Sequence, residues 1–223
     1  MGFSFRHIVS RWIPVERHVS PYTTLEVIRQ KGKLVLNAPH VNYSFGSLHQ
    51  VFRSAFQQLN PDYSRLKSVL ILGFGAGSVA HILQQENRCP CHITGIEMDA
   101  DVLMLAKKYF GLGRLKNLEL HTVDAEVFLT AETQRYDLIV VDLFLDHRIP
   151  EKFLTSAFLE KLHARLQPQG TVMFNYLLYD HEAKQKAVAF EKEFRNAFQQ
   201  FRPLIFKQYP KNIVYTGKRE PRR

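Results

Sequence analysis

Val69-Leu70-Ile71-Leu72-Gly73-Phe74-Gly75-Ala76-Gly77-Ser78 is the stretch that decides the fold. The apolar run reads as a short buried strand, the three alternate glycines as a tight turn, and residues 77–86 as the start of a helix. A strand that passes through a glycine turn into a helix opens a βαβ unit, and glycine there lets backbone lie against a ligand that a Cβ would hold off. The dinucleotide fingerprint sets its third glycine three residues after the second. Here Gly77 follows Gly75 by two, and Ser78 holds the later position.

Downstream, short apolar strands alternate with amphipathic helices. The strands are expected at Val69 to Gly73, His92 to Glu97, Leu118 to Val123, Tyr136 to Asp142 and Thr171 to Tyr176. Helices fall at 77–86, 99–109, 124–131 and 151–166, the last ended by the turn Gln167-Pro168-Gln169-Gly170. This alternation predicts an α/β fold with a parallel sheet covered on both faces. After a helix at roughly 181–200, strands Arg202 to Gln208 and Asn212 to Thr216 are separated by Tyr209-Pro210-Lys211 alone. That link is too short for a parallel crossover, so the pair is antiparallel. Five parallel strands closed by such a hairpin give the seven-stranded, Rossmann-like order of the class I methyltransferase sheet.

Upstream, Thr24 to Arg29 and Lys33 to Leu36 read as a small β unit turning at Gly32-Lys33. Leu48, Val51, Phe52, Ala55, Phe56 and Leu59 then recur at helical spacing until Asn60-Pro61. The expected organisation is a tail and β arm over 1–43, the main domain over 44–217 and a basic tail over 218–223.

Composition narrows the class. With 45% hydrophobic and 23% charged residues, the 223-residue chain has the make-up of a folded globular protein. Its net charge of +9 invites a nucleic-acid reading. The basic clusters, however, sit at the ends (Arg6, Arg11, Arg17; Lys211, Lys218, Arg219, Arg222, Arg223), where solvated tails are the commoner case, so nucleic acid is not the favoured partner. Cys89 and Cys91 flank Pro90 with no second Cys or His pair to complete a zinc site, so no metal is expected and both read as free thiols of a reducing compartment. Residues 1–14 lack the apolar core of a signal peptide, and no stretch reaches the roughly 20 apolar residues of a membrane span. A soluble, cytoplasmic protein is the expectation.

The candidate site lies at the carboxyl ends of the strands, where ligands collect in open α/β sheets. Glu97, twenty residues beyond Gly77, ends the second strand and can accept from both hydroxyls of a ribose. That geometry serves a nicotinamide dinucleotide as well as an adenosyl sulfonium; the turn spacing and the terminal hairpin favour the latter. Asp124 with Ala125 follows the third strand, placed to accept from an adenine amine or to cap the next helix. The fourth strand runs into Asp142-Leu143-Phe144-Leu145-Asp146-His147-Arg148, the best place for chemistry. An acid there can orient an acceptor amine or take its proton, unless Asp146 and Arg148 merely pair on the surface. His147 is a rival base. Asn175-Tyr176, ending the fifth strand, is placed to line an acceptor pocket, with buried packing the favoured reading for Tyr176.

These residues together resemble the spermidine synthase family and its methyltransferase-like relatives over roughly residues 20–180. Ser20 to Val27 is similar to the family's N-terminal β segment, Val69 to Ser78 to its glycine turn, Ile96-Glu97-Met98-Asp99 with Lys107-Lys108-Tyr109-Phe110 to its second strand and following helix, and Tyr136 to Asp142 to its fourth strand. The resemblance implies a donor site formed by Gly73, Phe74, Gly75, Ala76, Gly77, Glu97, Met98, Asp124, Ala125 and Asp142. The donor implied is S-adenosylmethionine or its decarboxylated form. It further implies that the loop after Asp142 gates the site and supplies the catalytic acid, with Asp142 and Asp146 as candidates, and that two copies pair through the arm.

The chain departs from the aminopropyltransferases of that family in three places. Their loop reads Asp-Ser-Ser-Asp, whereas Asp142 and Asp146 enclose apolar residues. Their glycine turn carries an Asp that holds the donor's amine, where Ala76 stands here. Their arm helix carries a Glu that anchors a polyamine, and His49-Gln50-Val51 has no acid. A buried ammonium without its partner is costly. The expected reaction is therefore methyl transfer to a small acceptor, amines included, with aminopropyl transfer to putrescine, RNA methylation and a catalytically silent nucleoside-binding relative as alternatives.

Overall fold

The computed structural model describes residues 13–39, 42–145, 147–207 and 211–220. The central sheet contains β5 (Ser68–Leu72), β6 (His92–Glu97), β7 (Leu118–Thr122), β8 (Tyr136–Val141), β9 (Leu166–Leu178), β10 (Gln199–Phe206) and β11 (Lys211–Lys218), in the order β10-β11-β9-β8-β5-β6-β7. Strands β5 to β9 are parallel, and β11 is antiparallel to both β9 and β10, as the short 209–211 link requires.

Side chains alternate across this sheet, and each face has its own core. Val69 and Ile71 of β5 and Leu138 and Val140 of β8 point to one side, packing with α1 (Ser47–Leu59), α2 (Ser78–His81) and α3 (Ala100–Tyr109). Leu70, Leu72, Ile139 and Val141 point to the other, against α5 (Ser156–Arg165) and α6 (His181–Ala197), with α4 (Ala125–Ala131) at the margin. Helix α2 runs on as a π-helical turn over Ile82–Glu86, so the helix expected at 77–86 exists in two geometries.

A second, antiparallel sheet of β1 (Ile13–Val19), β2 (Thr24–Gln30), β3 (Lys33–Asn37) and β4 (Asn42–Ser44) precedes the main one. Leu25, Val27 and Leu36 are fully buried in the same apolar cluster as α1 and α3. At about 1.5–3 kcal/mol for each such side chain, this burial docks the small sheet on the large one. Glu16 of β1 adds hydrogen bonds from Lys108 Nζ (2.6 Å) and from the Tyr109 hydroxyl.

Several boundaries differ from the sequence reading. Strand β1 was not expected: it carries Pro14 and the consecutive polar residues Glu16, Arg17 and His18, and none of its positions is fully buried, the make-up of an edge strand rather than of a buried one. The helix expected over 151–166 divides into a 3₁₀ turn (Glu151–Leu154) and α5, because Thr155 is extended and its hydroxyl accepts from Phe158 N at 3.2 Å. The turn at 167–170 lies inside β9 as an irregularity, where pairing with β8 jumps from Tyr136↔Leu166 to Leu138↔Thr171. Helix α6 stops at Ala197, and Phe198 leads into β10. Cys89 and Cys91 are free and buried, and among the described residues no helix is long and apolar enough to cross a membrane.

Candidate active site

The glycine turn is held from below. Gly73 N and Phe74 N both donate to Ile96 O, at 2.9 and 2.8 Å, which ties the end of β5 to β6. Gly73, Gly75 and Gly77 all have positive φ (80°, 57° and 93°), a region that side-chain-bearing residues avoid. At Gly73 a Cβ would lie 2.1 Å from Asp142 O, so this glycine admits the start of the fourth-strand loop. The Phe74 ring turns into the core over Gly95, where a Cβ would meet it at 2.4 Å.

The small sheet reaches the turn through a pair of serines, of which the sequence marked Ser78 only as a departure from the dinucleotide fingerprint and gave no sign of Ser44. Ser44 Oγ accepts from Ala76 N at 3.2 Å and lies 3.0 Å from Ser78 Oγ, which itself accepts from Phe45 N at 2.7 Å. Ser78, in the position where a dinucleotide fingerprint has glycine, is therefore a clamp. The paired serines across a turn and a strand separated by some thirty residues leave no local pattern by which to find them.

Glu97 is 6% exposed. Its Oε2 accepts from Gly75 N at 2.9 Å and its Oε1 from Asp99 N at 3.1 Å, so the turn and the start of α3 fix both oxygens and leave each a free lone pair. Burial, with the nearby Asp99 charge, pushes its pKa up against the pull of the Asp99, Gly75 and Met98 backbone amides. Asp124 caps α4 through Oδ1, which accepts from Glu126 N (2.9 Å) and Val127 N (3.3 Å); its Oδ2 takes Lys152 Nζ at 2.7 Å. The cap was foreseen and the lysine was not. Burial raises the Asp124 pKa, but Lys152 and the two amides outweigh it and hold the carboxyl below its usual value.

Asp142 begins the loop after β8 and is anchored by its own N–H to Leu72 O at 2.8 Å. Its Oδ1 accepts from Asn175 Nδ2 at 2.9 Å. Burial and the charge of Glu97 push its pKa up to about 7, with Asn175 opposing. Asp146 lies outside the described residues. Farther along the loop, Leu145 and Arg148 exchange backbone hydrogen bonds, and His147 stacks on Tyr179 with ring centres 4.1 Å apart. Arg148 reaches toward Asp180 at 4.0 Å.

A cavity of about 260 Å³ opens between these parts. Gly73, Gly75, Glu97, Met98, Asp124, Ala125 and Asp142 all line it, so the structure gathers most of the expected donor set around one space. Phe74, Ala76 and Gly77 shape the turn from behind and do not face it. His147 and Tyr176 line a separate cavity beside the loop. The remaining walls are mostly apolar, with Leu48, Val123, Leu143, Phe144 and Phe153 among them, closed by Asn42 and Tyr43 from the small sheet.

A family model described as a methyltransferase domain matches residues 64–218. The chain belongs to that family. As a methyltransferase domain it resembles spermidine synthase-like proteins in sequence and in fold. A polyamine aminopropyltransferase from Vibrio vulnificus is 34% identical over 122 residues, covering 52% of this chain and 40% of that one. An eEF1A lysine and N-terminal methyltransferase from Bos taurus is 27% identical over 133 residues, 55% of this chain and 19% of that protein. The methyltransferase domain thus spans less than half the length of these curated relatives. A probable spermidine synthase from Corynebacterium glutamicum shares the fold with a TM-score of 0.74 at 21% identity, over 92% of this chain and 80% of that one.

Proposed function

We propose that this chain transfers a methyl group from S-adenosylmethionine to a small acceptor that is not a polycation. The observation that carries the reading is the buried Glu97 carboxylate, held at each oxygen by one backbone amide, on the same cavity as Asp142 and beneath a turn where Gly73 and Gly75 admit close backbone approach. These residues fit an adenosyl group: Glu97 would take the ribose hydroxyls, and Met98, Asp124 and Ala125 the base. The donor supplies an electrophilic carbon on sulfur, and little is asked of the protein beyond alignment and a place for the acceptor's proton. Asp142, with its raised pKa, is that place at neutral pH. Asp146 on the same loop is kept in this reading as a second acid.

Methyl transfer is preferred because the turn carries no charge and the walls beyond the three acids are mostly apolar. His49, in the run where the family's polyamine anchor is expected, is engaged with Glu86 at 2.7 Å and stacks on Phe45. Aminopropyl transfer to putrescine is the second reading, favoured by the identity to the Vibrio vulnificus protein. Pairing of two copies through the small sheet, whose edge strand exposes Ile13, Val15 and Val19, belongs to either reading and is tested by sedimentation. Calorimetry with S-adenosylmethionine, its decarboxylated form and NAD decides among them. Binding of the decarboxylated donor alone selects the second reading, and binding of neither sulfonium overturns both.

A further inference from the structure

Two asparagines are buried among mostly apolar neighbours at this end of the sheet. Asn175 in β9 is 1% exposed and Asn212 in β11 is 6% exposed. The strand registers bring them together. Val141 of β8 lies opposite Phe174, so the next step sets Asp142 beside Asn175. Asn212 lies opposite Leu177, two residues from Asn175 and on the same face of β9, a diagonal that a side-chain amide spans. Asn212 Nδ2 donates to Asn175 Oδ1 at 3.0 Å, and Asn175 Nδ2 donates to Asp142 Oδ1 at 2.9 Å.

We propose that Asn212 and Asn175 are positioning residues that form a buried amide relay and hold the Asp142 carboxylate as a hydrogen-bond acceptor facing the cavity. An asparagine amide alone has no preferred sense, since a half-turn exchanges its donor and acceptor at little cost. Asn212 removes that freedom. Because its N–H occupies the Asn175 oxygen, a flipped Asn175 would set N–H against N–H at one end and oxygen against oxygen at the other. The donor end of Asn175 is thereby committed to Asp142. Unpartnered buried amides are costly, and apolar residues would fill both strand positions more simply, so the pair makes sense through the carboxyl it serves.

The charges around Asp142 make that commitment matter. Glu97 of β6 repels its anion, while Asp124 and Lys152 neutralise each other across the cavity, and Tyr43 of the small sheet faces the same space. Asn175 supplies the hydrogen bond that favours the charged form. The relay thus keeps Asp142 able to accept a proton near neutral pH in a site where burial works against it.

The inference rests on the reading that Asp142 takes the acceptor's proton, but its test needs no donor. Aspartate labelled with ¹³C at Cγ is titrated by NMR, and the Asp142 signal is assigned as the one missing from Asp142→Asn. Asn175→Ala is expected to move the Asp142 midpoint up by a pH unit or more. Asn212→Ala, at a position that does not line the cavity, moves it the same way by a smaller step, and Asn212→Ser, which keeps a donor, restores part of it. Asn212→Val, which suits a strand, repeats the measurement where alanine disturbs the fold. A midpoint that is unchanged or lowered in the folded Asn212 variants overturns the relay, as does loss of the fold in both Ala and Val variants, which would make the pair purely structural. If no sulfonium binds while the midpoint moves as stated, the relay stands and the transferase reading falls.

Discussion

Lys152 Nζ stands 2.7 Å from Asp124 Oδ2, the one carboxylate oxygen that the cap of α4 leaves over. An adenine amine bound at Asp124 must share or displace that ammonium. The Lys152 side chain is 44% exposed, so the pair is partly screened and worth at most about 1 kcal/mol. Lys152→Met is therefore expected to tighten S-adenosylmethionine binding by about 2- to 5-fold. Asp124→Ala does the opposite and also costs about 1 kcal/mol of stability through the lost cap. Titration calorimetry on both variants checks the pair, and weaker binding by Lys152→Met would show that the lysine itself holds the ligand.

Two glycines with the same φ of 80° separate strain from crowding. At Gly32, in the β2–β3 turn, an added Cβ meets nothing within 4 Å. Gly32→Ala thus carries only the backbone penalty, about 1–2 kcal/mol. At Gly73 the Cβ would lie 2.1 Å from Asp142 O, a backbone atom that cannot rotate away. Overpacking adds about 1–3 kcal/mol to the same backbone penalty. Urea denaturation should rank Gly73→Ala well below Gly32→Ala, and the Gly73 variant should lose donor binding because the Asp142 loop is displaced.

That contrast shows what a single sequence makes legible. The order of strands, the hairpin at the end and the line of Gly73, Glu97, Asp124 and Asp142 along the sheet edge follow from local pattern, since hydrophobic period and glycine placement act over a few residues. Strand β1 escaped because an edge strand buries little and so shows no apolar alternation. Ser44, Tyr43 and Leu48 were missed as neighbours of the site because they come to it by tertiary packing of the small sheet and α1. The division of the 151–166 helix turned on one hydroxyl, that of Thr155, competing for the backbone.

The serine clamp joins the two sheets at the turn itself. Ser44→Ala removes the acceptor of Ala76 N and one partner of Ser78, both in buried surroundings. A buried donor left unpaired costs about 1–3 kcal/mol. The stability loss should fall in that range, and donor affinity should fall with it because Gly75, which holds Glu97, is next in the chain. Ser78→Ala leaves Phe45 N unpaired instead and should cost about as much while sparing Ala76 N. Equal donor affinity in Ser44→Ala and the parent chain would mean that the turn keeps its shape without the clamp.

Asp142 makes the stability of the free protein depend on pH with an unusual sign. A carboxyl ordinarily titrates near ~4, whereas Asp142 holds its proton to about 7 in the folded chain. Between those values the native state binds more protons than the unfolded one, so stability declines as pH rises through the window. Glu97, also raised by burial, acts in the same direction. Asp124 and Glu86, both lowered by their cationic partners, act oppositely: their contribution is present above the ordinary carboxylate range and is lost only as pH falls below it. From pH 5 to 7.5 His49, His81 and His163, whose pKa values burial lowers, oppose the first pair, so the contribution of Asp142 is read as the difference between the parent chain and Asp142→Asn. The urea midpoint of the parent chain minus that of Asp142→Asn, which has no proton to lose, should fall as pH rises across that range. A difference that stays flat or rises with pH would show that Asp142 is ionised throughout, and with it would go the raised pKa that matches this residue to neutral pH.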